Sequence, residues 1–171
     1  MKNWLIVSGL VLVALVAVAA SNHQKAQEQK PEFVIDSYEF TWHIAQAGDI
    51  KLDVAKTEDT LRVELAAPDN MDFLTFDGPT AEAVGGMLPR TEEFYQKIAN
   101  SPADVSETLR AAKWQVIFIS QPEVGFWISV RPDERLSFTS LQLERKEAVA
   151  LAPHLQKATR MLRFLDERIR P

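Results

Sequence analysis

Between Trp114 and Leu155 the chain reads WQVIFISQPEVGFWISVRPDERLSFTSLQLERKEAVALAPHL, strand-like apolar segments followed by an amphipathic helix. Phe126, Ile128 and Val130 recur with period two and fill one face of a strand, as Trp114, Val116 and Phe118 do in the segment before it. Trp127 then falls on the opposite face, beside Ile117 and Ile119 of the neighbouring segment. A strand pair that is apolar on both sides must be covered twice. The helices supply one cover, and the first copy or a partner supplies the second.

An earlier stretch, Tyr38 to Leu88, repeats the pattern in a longer form. Tyr38, Phe40, Trp42 and Ile44 alternate with polar residues, a turn containing Gly48 follows, and Ile50, Leu52 and Val54 alternate again. Glu58-Asp59 marks a second turn before Leu61, Val63 and Leu65, so the three segments predict a half-buried antiparallel meander. Pro68-Asp69-Asn70 breaks the sheet ahead of a short segment, Met71 to Phe76. Asp77-Gly78-Pro79-Thr80 then opens a predicted helix through Ala81 to Leu88, with Gly85-Gly86 inside it as a sign of close backbone packing. TEEFYQKIAN extends the helical part, and Ser101-Pro102 predicts a further helix through Ala112 with Val105, Leu109 and Ala112 facing inward.

A shift of 76 positions lays Tyr38, Phe40 and Trp42 on Trp114, Val116 and Phe118, and Ile50, Leu52 and Val54 on Phe126, Ile128 and Val130. The register must then change by 11 positions for Phe73, Phe76, Ala83 and Val84 to meet Phe138, Leu141, Ala148 and Val149, which implies that the second copy has lost a strand. The predicted fold is α+β: two related antiparallel strand–strand–(strand)–strand–helix repeats sharing one core, behind an N-terminal apolar helix. The corresponding segments are 1–20 as signal peptide or signal anchor, 21–32 as polar linker, 33–112 as the first sheet-and-helix half and 113–171 as the second.

Trp4 to Ala20, WLIVSGLVLVALVAVAA, carries no charge and as a helix extends about 25 Å, the short end of a bilayer crossing. Lys2 before it and Ala17-Val18-Ala19 within it are features of a secretory leader, and an uncleaved anchor fits equally. The absence of cysteine excludes a lipoprotein anchor, disulfides and thiolate metal sites. The expected location is a cytoplasmic membrane with one N-terminal span and the body outside the cytoplasm, periplasmic in a bacterium; the alternative is a cleaved, exported chain.

Charge divides unevenly. Residues 31–105 hold 15 acidic side chains against 5 basic ones, and residues 106–171 hold 8 against 11. The basic residues gather on the last helix, where Leu155, Ala158, Leu162, Leu165 and Ile169 form an apolar arc and Lys157, Arg160, Arg163, Arg168 and Arg170 take the other side, with Phe164 among them. Pro153 is expected to kink this helix or to start a new one.

No catalytic pattern is present: HExxH, GxSxG, GxGxxG and the phosphate-binding GxxxxGK[ST] are all missing. His23, His43 and His154 stand apart from one another and from carboxylates in sequence, and Asp49 and Asp53 share an exposed strand face. These residues predict neither enzyme activity nor cofactor nor metal. Trp127, Ile117, Ile119, Phe164 and Arg160 are the candidate partner contacts.

The order of paired strand-and-helix repeats resembles that of Whirly-type single-stranded-DNA binders, in element order alone and without a shared motif. That resemblance implies a sheet used as a nucleic-acid platform. The acidic balance and the apolar leader speak against nucleic acid. The first expectation is therefore a non-enzymatic, membrane-tethered or exported interaction module with a protein partner, held to the membrane through residues 4–20. The alternatives are single-stranded nucleic-acid binding and a small hydrolase whose acid and base meet only in the fold.

Overall fold

The computed structural model describes residues 38–67, 73–134 and 139–168. The apolar segment 4–20, the linker, the Pro68–Asn70 break and Ile169 lie outside the described residues. Among the described residues no helix is long and apolar enough to cross a membrane.

The architecture is α+β, with two four-stranded antiparallel sheets. The first is the meander β1 (Glu39–Ala47), β2 (Ile50–Thr57), β3 (Thr60–Ala66) and β4 (Phe73–Phe76). It is followed by α1 (Gly78–Met87), a 3-10 turn at Leu88–Arg90, and α2 (Thr91–Ile98). The second is the meander β5 (Val105–Ala111), β6 (Trp114–Gln121), β7 (Gly125–Pro132) and β8 (Leu141–Leu143), followed by α3 (Arg145–Leu155) and α4 (Ala158–Arg168).

Three sequence expectations are corrected. Residues 102–112 are not a helix: Val105–Ala111 is strand β5, paired with β6 from Val105↔Ser120 to Ala111↔Trp114. Helix-forming Glu107, Leu109 and Arg110 are overridden because β6 offers an open edge, and pairing with it satisfies a whole row of backbone groups. The second copy has therefore lost no strand. Val54 pairs Val63 as Phe118 pairs Ile128, and Val63 pairs Phe76 as Ile128 pairs Leu143, so the true offset is 64 to 67 positions, not 76. The 76-position match laid strands on the wrong partners, because alternating apolar segments superpose on one another by default. Pro153 lies within α3, which runs on to Leu155, and the break comes at Gln156-Lys157. So near the C-terminal end, a missing N–H costs one hydrogen bond at most.

At these offsets the core positions correspond one to one. Leu52, Val54, Val63, Leu65, Leu74 and Phe76 of the first half match Val116, Phe118, Ile128, Val130, Leu141 and Leu143 of the second, and all are buried. Ala81, Val84 and Leu88 match Ala148, Leu151 and Leu155, also buried. Each of these side chains larger than alanine contributes roughly 1.5–3 kcal/mol by leaving water.

The helices bind the halves together. Helices α1 and α2 pack on β5 and β6 of the second sheet and α3 and α4 on β1 and β3 of the first, with α1 also touching β3 and α3 also touching β7 of their own sheets. Phe94 of α2 stacks on Phe118 of β6 with ring centroids 4.4 Å apart, and Phe76 of β4 meets Trp114 of β6 at 4.5 Å. Where α1 crosses α3, Gly85 lies against Leu155, and the Gln156 side-chain amide donates to the Gly85 carbonyl at 3.1 Å. The result is one hydrophobic cluster drawn from both sheets and all four helices.

Candidate functional site

Each sheet turns its inner face to the helices, so its outer face is decided by the alternate residues. On the first sheet these form cross-strand rows: Thr41, Ala55 and Arg62, then His43, Asp53, Glu64 and Thr75. This face is charged and internally paired. Arg62 donates to Glu64 at 2.6 Å, to Glu39 at 2.9 Å and to the Thr57 hydroxyl at 2.9 Å. The Glu64 hydrogen bond, set against the cost of burial, raises the guanidinium pKa above its usual value.

The second sheet has the same rows with different chemistry. Ser106, Ile119 and Trp127 form one row, and Thr108, Ile117, Ser129 and Gln142 the next. By register Ile117 stands where the first sheet has Asp53, Ile119 where it has Ala55, and Trp127 where it has Arg62. Ile117 is 8% exposed yet lies outside the main core, and Ile119 and Trp127 are half-buried. Together they make an apolar strip on the outer face. A groove of about 330 Å³ runs along it between Ile117 and Ile119, with Asp104 and Gln121 at one end of the strands and Arg131 toward the other.

Phe164 and Arg160 lie elsewhere, on α4. With His154, Lys157 and Met161 they line a second groove of about 280 Å³. The five candidate contact residues thus divide between two surfaces, Ile117, Ile119 and Trp127 on one and Arg160 and Phe164 on the other.

One pairing was missed in the sequence. His43 Nδ1 and Asp53 Oδ1 are 2.8 Å apart, directly opposite across the β1–β2 hairpin. The turn at Gly48-Asp49 alone would set His43 opposite Val54, and a bulge at Ile44 shifts the register by one residue and brings it to Asp53. An imidazole held by a carboxylate is a component of general-base sites. Here His43 has 54% of its side chain exposed on a strand face and lines neither groove. Among the described residues no group of three or more His, Asp or Glu side chains is placed to hold a metal ion.

The fold and its faces thus define an α+β protein whose two sheets share a core but not a surface chemistry. No model of a known protein family matches the sequence, and none of the curated proteins matches it either.

Proposed function

We propose that the chain is a non-enzymatic interaction module that docks a protein partner through the outer face of its second sheet. The carrying observation is the exchange of Asp53, Ala55 and Arg62 on one sheet for Ile117, Ile119 and Trp127 at the matching positions of the other. Matched cores leave the outer faces free to differ, and the half-buried Ile119 and Trp127 keep apolar surface there that a partner would cover. The fitting partner has an apolar centre, a base facing Asp104 and an acid facing Arg131. Residues 4–20 place this body at a membrane, with the body outside the cytoplasm, or direct its export.

Nucleic acid is the weaker reading. A single-strand platform interleaves aromatic rings with several cations, and this face presents one tryptophan among isoleucine, serine and threonine with an acid at its end.

The test is site-specific photo-crosslinking of the full chain in its own cells. A benzophenone side chain at Thr108, on the second sheet, is compared with one at Thr41, on the first. A discrete protein adduct from position 108 alone, abolished by Ile119→Asp, supports the docking face. Equal adducts from both positions, or none from 108, overturn it. A reporter fused after Pro171, read for activity inside and outside the cytoplasm, checks the side of the membrane independently.

A further inference from the structure

The first 37 residues precede the described body, and 4–20 of them are uncharged and apolar. A body on such a tether spends its time within a linker's length of the lipid. The polar linker 21–32 and five more residues separate the two, and a random coil of that many residues reaches about 20–25 Å. Weak contacts become effective at that distance, because the tether supplies a high local concentration. The face that meets the lipid is then decided by chemistry on the body's own surface.

Helix α4 has such chemistry. Ala158 is buried, and Met161, Leu162 and Leu165 pack on the core, which fixes the inward side. Asp166 is turned toward the body, where its carboxylate takes the Lys56 ammonium at 2.9 Å. The outward stripe is Lys157, Arg160, Phe164 and Arg168, spaced three and four residues apart and therefore on one face. All four are exposed. Arg163 and Glu167, four apart and both exposed, lie along one edge of the stripe.

Phe164 is 50% exposed and carries the Arg168 guanidinium 4.0 Å from its ring centroid. A lone exposed phenylalanine is ordinary. This one lies between two arginines at i−4 and i+4 and forms a wall of the groove that His154, Lys157, Arg160 and Met161 complete. Cations at a rim over an apolar wall suit a phosphate headgroup with the first methylenes of its chains. The body as a whole is acidic, so an anionic surface repels most of it and selects this basic face.

We infer that α4 rests on the surface of an anionic phospholipid bilayer, with Lys157, Arg160 and Phe164 as the contact residues, and that this contact sets the orientation of the body. The inference rests on the tether reading of residues 4–20. Each cation near an anionic surface strengthens the contact about fivefold, so charge reversal at two positions removes it.

The experiment is amide hydrogen exchange on the full chain in nanodiscs of phosphatidylcholine, with and without phosphatidylglycerol. Exchange across residues 158–168 slows several-fold in the anionic discs and not in the neutral ones. The slowing disappears in the double variant Lys157→Glu with Arg160→Glu, whose urea midpoint stays within reach of the parent's. Equal exchange in both lipids overturns the inference. So does slowing that survives the double variant, or slowing reproduced in neutral discs by inorganic phosphate. Failure of the chain to enter discs of either lipid overturns the tether reading instead. Sedimentation with phosphatidylglycerol vesicles then tests the helix separately: salt-sensitive binding lost in the double variant sustains it, and no binding overturns it.

Discussion

Gly48 and Ala112 occupy the same turn position in the two halves, and both have left-handed backbones, with φ of +57° and +53°. Each begins a two-residue turn, between β1 and β2 in one half and between β5 and β6 in the other. A left-handed residue with a Cβ is strained by about 1–2 kcal/mol, against a gain of about 0.4–1 kcal/mol from a stiffer unfolded chain. Ala112→Gly is therefore expected to raise stability by about 0.5–1 kcal/mol in urea unfolding. Gly48→Ala is expected to lower it, by more than the strain alone, because the new Cβ would fall on the Glu147 carboxylate. That carboxylate also accepts the Asp49 N–H at 3.3 Å and the Glu144 N–H at 2.8 Å, joining the first sheet's turn to the start of α3.

Adjacent glycines in α1 are expected to respond in opposite directions. A Cβ on Gly85 would lie 2.6 Å from Leu155 Cβ and 2.8 Å from the Gln156 nitrogen, whereas one on Gly86 meets nothing within 4 Å. Gly85→Ala should cost about 1–3 kcal/mol by forcing α1 and α3 apart. Gly86→Ala should add up to about 1 kcal/mol through helix propensity. Urea midpoints of the two variants check the pair directly.

The Lys56–Asp166 ion pair joins β2 to α4, with the lysine side chain 5% exposed and the aspartate 59%. Asp166→Ala is expected to cost about 0.5–1.5 kcal/mol, the net contribution of one hydrogen bond, because Lys56 keeps a further interaction. Lys56→Met should cost less, since an apolar side chain of similar length needs no partner there. Calorimetric unfolding of the two variants separates these outcomes. If Asp166→Ala proves the milder change, the pair contributes nothing net.

Asp77 caps α1 and receives the Thr80 N–H at 2.7 Å. Hydrogen bonding from Thr80, side chain first and then backbone, holds its carboxyl pKa below the usual value. A lowered folded-state pKa means that the contribution is complete above the unfolded value of about 3.9 and is lost as pH falls through the folded value. Asp77→Ala should cost about 1 kcal/mol at neutral pH. Asp77→Asn keeps a cap without the charge, so its stability should fall less steeply below about pH 4 than the parent's. Urea midpoints measured across that range give the comparison.

Much of the fold was legible, and the reasons are local. Period-two alternation marked β1, β2, β3, β6 and β7, because each has one face in the core and the chain has no other way to bury that face. Asp77-Gly78-Pro79 marked the start of α1, since capping and a fixed proline φ act within one turn. The pairing at Gly85 was legible as packing, but not which glycine of the two packs. β5 was not legible. Val105, Leu109 and Ala112 satisfy a helical spacing as well as Val105, Leu109 and Ala111 satisfy a strand, and only the free edge of β6 distinguishes them. The His43–Asp53 contact and the split of the contact residues between two surfaces were equally hidden, for they depend on register and on helix placement.

The sequence alone determined the class of the fold, the number of apolar faces to be covered, and the turns between adjacent strands, all through interactions a few residues long. Tertiary structure decided which strand pairs with β6, that helices of one half cover the sheet of the other, and that matching rows on the two sheets differ in chemistry. Those outcomes depend on partners tens of residues apart, such as Phe94 on Phe118 or Lys56 on Asp166. Alternation states that a face is buried, and only three-dimensional packing states against what.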